Sequence, residues 1–188
     1  ETSYFTVEAV DDENQSNTKT FNIVVLRPIY AYRITNSLIF DRGEQQYLEY
    51  VASQTGDRRK FTVSMWFKID NSDSNGDTGG YPRLFDWGNS NTLSRFFVGI
   101  HVSGSISFQH YDGANNYYNS YAYLVRDPSA WFHLVYTCDS GNTTPEDRSV
   151  VYINGERLAT TASNPMPIDY DTYANASGHT FRIGNAVH

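Results

Sequence analysis

The stretch RDPSAWFHLVYTCDSGNTTPEDRSVVYINGERLAT, residues 126–160, decides the fold. A turn signal at Pro128 and Ser129 comes before a run of aromatic and β-branched residues, which predicts a strand. Asn154 and Gly155 form the pair that a type I′ hairpin turn prefers, because both central residues of that turn need a positive φ. The pair predicts a hairpin between a strand near 148–153 and another near 156–161.

Similar strand patterns recur along the chain. KFTVSMWFKID, residues 60–70, alternates apolar and polar side chains, as a strand with one face on a core does. FFVGIHVSGSISFQHYDG, residues 96–113, predicts a second hairpin. Polar, irregular stretches at 71–82 and 161–180 separate the strands, and the second is expected to cross one edge of the fold. Many short strands at this spacing predict an all-β, antiparallel sandwich.

The N-terminal region differs from the rest. SYFTVEAVDDENQSNTKTFNIVVL, residues 3–26, has the pattern of two strands around a polar turn. Two strands cannot hold a core alone, so residues 1–27 are predicted to be the last hairpin of a separate repeat. Residues 28–36, beginning at Pro28, are interpreted as a linker, and residues 37–188 as the sandwich.

Composition excludes several classes of function. Fourteen basic residues against twenty-one acidic ones give a net charge of −7, the opposite of what a nucleic-acid binder needs. No apolar run approaches the ~20 residues that span a bilayer. Cys138 is the only cysteine, which excludes an internal disulfide, and it is predicted to be a buried small hydrophobe.

Five blocks in order resemble a known family: SLIFDRGEQQYLEY, FTVSMWFKID, RDPSAWFHLVYTCDS, RSVVYINGERLA and HTFRIGN. Together they resemble the laminin-G-like, concanavalin-A-like jelly roll, in the form found in phage tail-fibre and other virion proteins. Residues 3–26 resemble the last strands of immunoglobulin-like or cadherin-like repeats. The family normally continues, after the RIGN motif, to a last strand beside the first. The sandwich is therefore predicted to lack that strand, next to a first strand around Ser37 to Phe40.

The resemblance also implies a calcium ion at the rim, since laminin-G-like domains often hold one there. Calcium prefers several hard oxygen ligands from loops. Loop carboxylates are the candidate ligands, and simple solvation is the alternative for each of them. The candidates are Asp70, Asp73, Asp77, Asp139, Asp169 and Asp171.

Tyrosines cluster in YDGANNYYNSYAYL, residues 111–124, next to several asparagines, and residues 111–121 are predicted to be a loop. Aromatic faces beside amides suit sugar binding, because the ring stacks on the CH face of a sugar while the amides bond its hydroxyls. They equally suit a protein interface, where tyrosine is enriched. In a third interpretation, some of these tyrosines lie in the core and others at its rim. The candidate ligand-binding residues are Tyr111, Asn115, Asn116, Tyr117, Tyr118 and Tyr121.

Two further residue types need an interpretation. The N-x-[ST] sequons at Asn14, Asn142 and Asn175 lie in predicted loops and matter only where a glycosylating system meets the chain. His133 is interpreted as a core histidine with a hydrogen-bond partner, because only Asp127 and Asp139, at opposite ends of its strand, are available nearby to support a catalytic base.

These features predict a non-enzymatic structural or adhesion module of a phage tail fibre or extracellular filament, with a glycan as a candidate ligand. The related glycosidases carry a strand with an E-x-D-x-x-E pattern, which is absent here. A bacterial cell-surface, lectin-like adhesin is the main alternative, and a glycan-cleaving enzyme is the third. We expect the protein to act outside the cell or on a virion surface, with other subunits of the same protein as partners.

Overall fold

The computed structural model describes residues 2–10, 16–24, 36–40, 44, 46–69, 83–89, 94–101 and 104–184. The chain divides into two compact units, residues 1–39 and 40–188. Within the described ranges, no helix has the length and apolar character needed to cross a membrane.

The first unit contains an antiparallel pair of strands. β1 (Thr2–Val10) and β2 (Ser16–Val24) pair along their full length, with Thr2 opposite Val24 and Val10 opposite Ser16. The hydroxyls of Thr6 and Thr20 lie 3.0 Å apart across the pair. The predicted pair of strands is therefore present, whereas its kinship with immunoglobulin-like repeats, and the domain boundary at residue 27, stay predictions.

The second unit is a sandwich of two antiparallel sheets. Its strands in chain order are β3 (Leu48–Val51), β4 (Lys60–Phe67), β5 (Arg83–Asn89), β6 (Ser94–Ile100), β7 (Ser105–Tyr111), β8 (Asn116–Leu124), β9 (Phe132–Asp139), β10 (Ser149–Ile153), β11 (Glu156–Arg157), β12 (Thr160–Asn164) and β13 (Thr180–Ile183). One sheet has the order β11-β10-β9-β4, and the other has the order β12-β8-β7-β6-β5-β13-β3. The predicted all-β sandwich is confirmed.

The predicted Asn-Gly hairpin joins β10 to β11. Asn154 and Gly155 both have positive φ, at 52° and 85°, as a type I′ turn requires. The second strand is shorter than predicted, because the chain leaves the sheet after Arg157 and re-forms as β12 on the edge of the other sheet. The region near 156–161 thus contributes to both layers.

Aromatic side chains from both sheets meet in the core. Phe96 and Phe108 of the seven-stranded sheet contact Tyr136 of the four-stranded sheet, with ring centroids 5.5 Å and 5.3 Å apart. All three are at most 1% exposed. The hydroxyl of Tyr136 lies 2.9 Å from the hydroxyl of Ser149, which satisfies both buried polar groups.

Residues 165–179, here called the strap, connect β12 to β13 and close one end of the sandwich. Arg58, just before β4, donates from Nε to the carbonyl of Thr172 at 2.6 Å, and the Thr172 hydroxyl donates to the carbonyl of Arg58 at 2.6 Å. The hydroxyl of Ser140, just after β9, donates to the carbonyl of Tyr170 at 2.8 Å. The strap is thus held to the end of the four-stranded sheet by reciprocal hydrogen bonds.

Two sequence predictions about local structure are wrong. Residues 36–40 form no strand, and the strand at that edge of the larger sheet is β3, next to β13. That the sandwich lacks a last strand stays a prediction. Leu38 and Ile39 are adjacent and both exposed, so they lack the alternation that would place one face on the core.

Residues 111–121 are not a loop but the end of β7, a four-residue turn and most of β8. The predicted loop at 71–82 lies outside the described residues.

Candidate functional site

The turn between β7 and β8 is organised by one carboxylate. Asp112 Oδ1 accepts hydrogen bonds from the backbone N–H groups of Ala114 and Asn115, at 2.9 Å and 2.6 Å, and Gly113 takes a positive φ. Although burial opposes it, these backbone bonds and a 2.8 Å bond from the Tyr170 hydroxyl hold the pKa of Asp112 well below its usual range. The turn is thereby fixed, and with it the direction of every β8 side chain.

Strand alternation divides the predicted ligand-binding residues into two groups. Tyr117 and Tyr121 point inward. Tyr121 is 2% exposed, and burial raises the pKa of its hydroxyl to about 12. Tyr111, Asn116 and Tyr118 occupy the outer face, because they alternate with the buried His110 and Asn119. Asn115 belongs to the turn, where its amide donates to the carboxylate of Asp112.

The strand register brings further side chains to the same outer face. Arg95 of β6 lies directly opposite Tyr111 of β7, and Tyr111 lies opposite Asn116 of β8. In the next row, Gln109 lies opposite Tyr118. We call these five residues the outer strip: Arg95, Gln109, Tyr111, Asn116 and Tyr118. Directly opposed residues have Cβ atoms about 4.5–5.5 Å apart, so their side chains form one continuous surface.

The outer strip is anchored on both sides. The Tyr111 hydroxyl donates to the carbonyl of Gly113 at 2.9 Å. Asn164 of the edge strand donates from Nδ2 to the carbonyl of Asn116 at 2.7 Å. The strip therefore combines two aromatic rings, two amides and a guanidinium on rigid strands, a composition suited to a polar ligand with apolar faces.

Sequence reasoning missed Arg95 and Gln109, and it could not have paired them with the tyrosines. Their strands alternate visibly, so the outward direction of Gln109 was readable from Ile106 and Phe108 beside it. Which residue of β6 stands opposite Tyr111 depends on the register, and a turn of unknown length leaves that register open.

His110, beneath the strip, was also missed. It is fully buried, and neither ring nitrogen has a hydrogen-bond partner among the described residues. Its ring is enclosed by Phe96, Tyr117, Tyr170 and Tyr173, with centroids 5.2–6.1 Å away. Burial lowers the pKa of His110 to about 4, because the charged form is disfavoured in an apolar site.

The described candidate metal ligands are paired with cations. Asp139 binds Lys60 at 2.8 Å, and Asp171 binds Arg59 at 2.6 Å. Asp169 lies 3.8 Å from the same Arg59 guanidinium. Asp70, Asp73 and Asp77 lie outside the described residues. In the described part of the chain no three His, Cys, Asp or Glu side chains are grouped as metal ligands, and calcium binding stays a prediction.

The two described sequons differ in the hydrogen bonds of their asparagine side chains. Asn175 donates from Nδ2, the nitrogen that a glycan would occupy, to the carbonyl of Asp57 at 2.8 Å. Asn142 uses its Oδ1 to accept the N–H of Thr144 at 2.9 Å, which leaves Nδ2 out of that bond. Asn14 lies outside the described residues.

His133 lies on the outer face of β9, so its interpretation as a core histidine is wrong in position. The inward residues of β9 are Phe132, Leu134, Tyr136 and Cys138. His133 stacks on Trp66, with centroids 4.9 Å apart, and its Nε2 lies 2.9 Å from the hydroxyl of Ser64.

Cys138 is buried as predicted, and burial raises the pKa of its thiol to about 12, which makes it unreactive.

Two packed antiparallel sheets are the architecture of jelly rolls, which include lectin domains. Residues 42–187 match the Laminin G 3 family model, described as the concanavalin A-like lectin/glucanases superfamily. The chain belongs to this superfamily. No curated protein matches the chain.

Among solved structures, the chain is similar to the native heptameric SAP-like pentraxin from Limulus polyphemus. The sequence identity is 18% and the TM-score is 0.47. The match covers 73% of this chain and 57% of the pentraxin chain, so it spans less than two thirds of that protein.

Proposed function

We propose that the sandwich is a non-enzymatic adhesion module that binds a glycan on the outer strip. The observation that carries this proposal is the register that places Arg95, Gln109, Tyr111, Asn116 and Tyr118 on one face of three adjacent strands. Adjacent strands lie about 4.8 Å apart, so the strip extends about 10 Å across the sheet. That is the scale of one or two sugar rings.

The chemistry of the strip supports a carbohydrate over an apolar ligand. Tyr111 and Tyr118 offer ring faces to the CH face of a sugar, while Gln109 and Asn116 both donate and accept hydrogen bonds. All five side chains stand on strands, and sites on strands are held more rigidly than sites on loops. Little ordering of the protein is then needed on binding, which favours affinity for a small polar ligand.

The pKa shifts of four described carboxylates do not favour glycan cleavage. A glycosidase needs one carboxylic acid with a raised pKa as the proton donor. Backbone or side-chain hydrogen bonds instead lower the pKa of Asp57, Asp112, Asp127 and Asp171. Asp139 and Asp169 face Lys60 and Arg59.

The Ser64–His133 pair does not support an acyl-transfer enzyme either. A serine nucleophile requires a base that is itself oriented by a third group. The hydrogen bond of the His133 ring within the described residues joins Nε2 to Ser64, and the ring also stacks on Trp66. The pair also lies on an exposed sheet face, where water would compete for every polar contact.

The setting of the module is part of the proposal. We place it outside the cell or on a virion surface, as part of a phage tail fibre or similar filament with other copies of the chain as partners. The order of its sequence blocks supports this setting, and a bacterial cell-surface adhesin is the alternative. The genes that flank the coding sequence separate the two, since virion genes are clustered.

A glycan array on the intact 188-residue chain tests the binding function. We expect binding to at least one glycan class, and a loss of at least about tenfold in Tyr118→Ala. Tyr50→Ala, an exposed tyrosine on β3 at the edge of the same sheet, is the matched control and should bind normally. Equal loss in both variants, or no glycan bound by the folded chain, would reject the proposal.

A further inference from the structure

We infer that the glycan carries an anionic group, a carboxylate or a sulfate, and that Arg95 binds it. This inference rests on the proposed glycan-binding function of the outer strip. It concerns the chemical class of the ligand, which the aromatic and amide side chains of the strip do not define by themselves.

The first observation is the charge balance around Arg95. Its neighbour Arg83 is ion-paired with Asp86, a fully buried carboxylate, and lies over the ring of Phe97 at 4.1 Å. Arg95 is close enough to Arg83 for the two positive charges to repel each other. Asp86 is therefore paired with Arg83, and within the described residues Arg95 is a positive charge that no ion pair on this face accounts for.

The second observation is the state of Arg95 itself. Within the described residues, no carboxylate and no hydrogen-bond acceptor contacts its side chain, although that side chain is half-buried on the sheet. Other arginines at the surface of the sandwich have such partners: Arg59 binds Asp171, Arg157 binds Asp147 and Arg182 binds Glu49. A guanidinium presents five N–H donors in a planar fork that fits carboxylate or sulfate oxygens in pairs.

The third observation is the space beside Arg95. The residue opposite it on β5 is Gly88, which has no side chain, and the residue opposite it on β7 is Tyr111. In the strand register, Arg95 therefore stands between a residue with an aromatic ring and a residue without a side chain. A sugar stacked on Tyr111 would bring its substituents to Arg95.

The overall charge of the protein makes this contact specific. With a net charge of −7, the chain repels polyanions in general. Binding of an acidic glycan then requires a local cation rather than a diffuse basic surface. We therefore expect the outer strip, and not the overall charge, to distinguish the acidic form of a polymer from its neutral form.

Two matched pairs of polymers test the inference: polygalacturonate against its methyl ester, and dextran sulfate against dextran. Binding of the 188-residue chain to immobilised polymer is measured at low salt and at 0.5 M NaCl. We expect at least tenfold tighter binding to the acidic member of one pair, weakened by salt and reduced about tenfold or more in Arg95→Gln, since a hydrogen bond to a charged group has that strength. Tighter binding to the acidic member of the polygalacturonate pair would identify the group as a carboxylate, and tighter binding to that of the dextran pair would identify it as a sulfate.

Arg126→Gln is the control, because Arg126 is exposed in the turn before β9, away from the strip. It should bind like the unmodified chain. Circular dichroism melts confirm that Arg95→Gln is folded.

If the chain binds neutral and acidic polymers equally, and Arg95→Gln does not change this while Tyr118→Ala does, the anion inference fails and glycan binding stands. If Arg126→Gln loses as much affinity as Arg95→Gln, the attraction is diffuse and the inference fails as well. Absence of any binding overturns both the anion inference and the glycan-binding proposal.

Discussion

His110 shows how a single residue makes stability depend on pH. It is buried without a hydrogen-bond partner in the described structure, and its pKa falls from the ordinary 6.5 to about 4. Between these values the unfolded chain binds a proton that the folded chain excludes. Its contribution to stability is therefore fully present above about pH 6.5 and is lost as the pH falls to about 4.

We predict that replacing His110 with Phe removes this pH dependence. The loss between pH 7 and pH 4 is roughly 3 kcal/mol at most for such a pKa difference. His110→Phe also removes two unsatisfied nitrogens, so at pH 7 it should be at least as stable as the unmodified chain. Urea unfolding at pH 7, 5.5 and 4 measures both. An unchanged pH profile in His110→Phe would mean that other groups cause the acid sensitivity.

The two described sequons should respond differently to a glycosylating host. Modification of Asn175 would place a glycan on the nitrogen that donates the 2.8 Å bond to the carbonyl of Asp57, whereas Nδ2 of Asn142 is outside the turn bond that its Oδ1 accepts. We predict a glycan on Asn142 and none on Asn175 after secretion from a eukaryotic cell. Peptide mass spectrometry measures occupancy, and substantial occupancy at Asn175 would contradict the structure.

At the scale of elements, the β10–β11 turn is the part whose sequence defines its conformation most directly. Gly155 has a φ of 85°, and a Cβ built on it would meet no atom within 4 Å. Any cost of Gly155→Ala is therefore conformational, and we expect about 1 kcal/mol of destabilisation. Gly141→Ala, where a Cβ makes only ordinary contacts and no positive φ is required, is the control. Equal unfolding midpoints for the two variants in denaturant would contradict this reading of the turn.

The same scale shows where sequence reasoning succeeded and failed. The alternation in residues 60–70 and the Asn-Gly pair defined strands correctly, because both depend on local geometry. The segment from Tyr111 to Tyr121 is predicted to be a loop because it is rich in Asp, Asn and Tyr, yet only residues 112–115 form the turn. Its tyrosines lie on a strand whose two faces differ, and sequence composition carries no information about the face.

His133 and His110 illustrate the limit for the candidate site. Both alternate with large apolar residues, so local pattern places each on one face of a strand. Whether that face meets the core or the solvent depends on the opposite layer, which is distant in sequence. In the sequence of β9 both faces are apolar, and on the outward face His133 stacks on Trp66 of the neighbouring strand. Arg95 joins the outer strip only through strand register.

At the scale of the whole sandwich, the two outer faces offer different chemistry. The seven-stranded sheet carries the outer strip, with amides, tyrosines and an arginine that lacks an ion-pair partner in the described chain. The four-stranded sheet carries Ser64, His133 and the half-exposed Trp66. The strap holds the two sheets at one end. A rigid sandwich whose proposed ligand site lies on one face is suited to adhesion, because the scaffold does not need to move on binding.

The most direct test of this assignment is an amide chemical-shift titration of the ¹⁵N-labelled chain with the glycan selected on the array. The structure predicts the largest shifts at Arg95, Gln109, Tyr111 and Tyr118, with little change at Ser64 and His133 on the opposite face. Saturation should follow one binding curve for all strip residues. Shifts centred on Trp66 and His133, with the outer strip unaffected, would contradict the account and place the ligand on the four-stranded sheet.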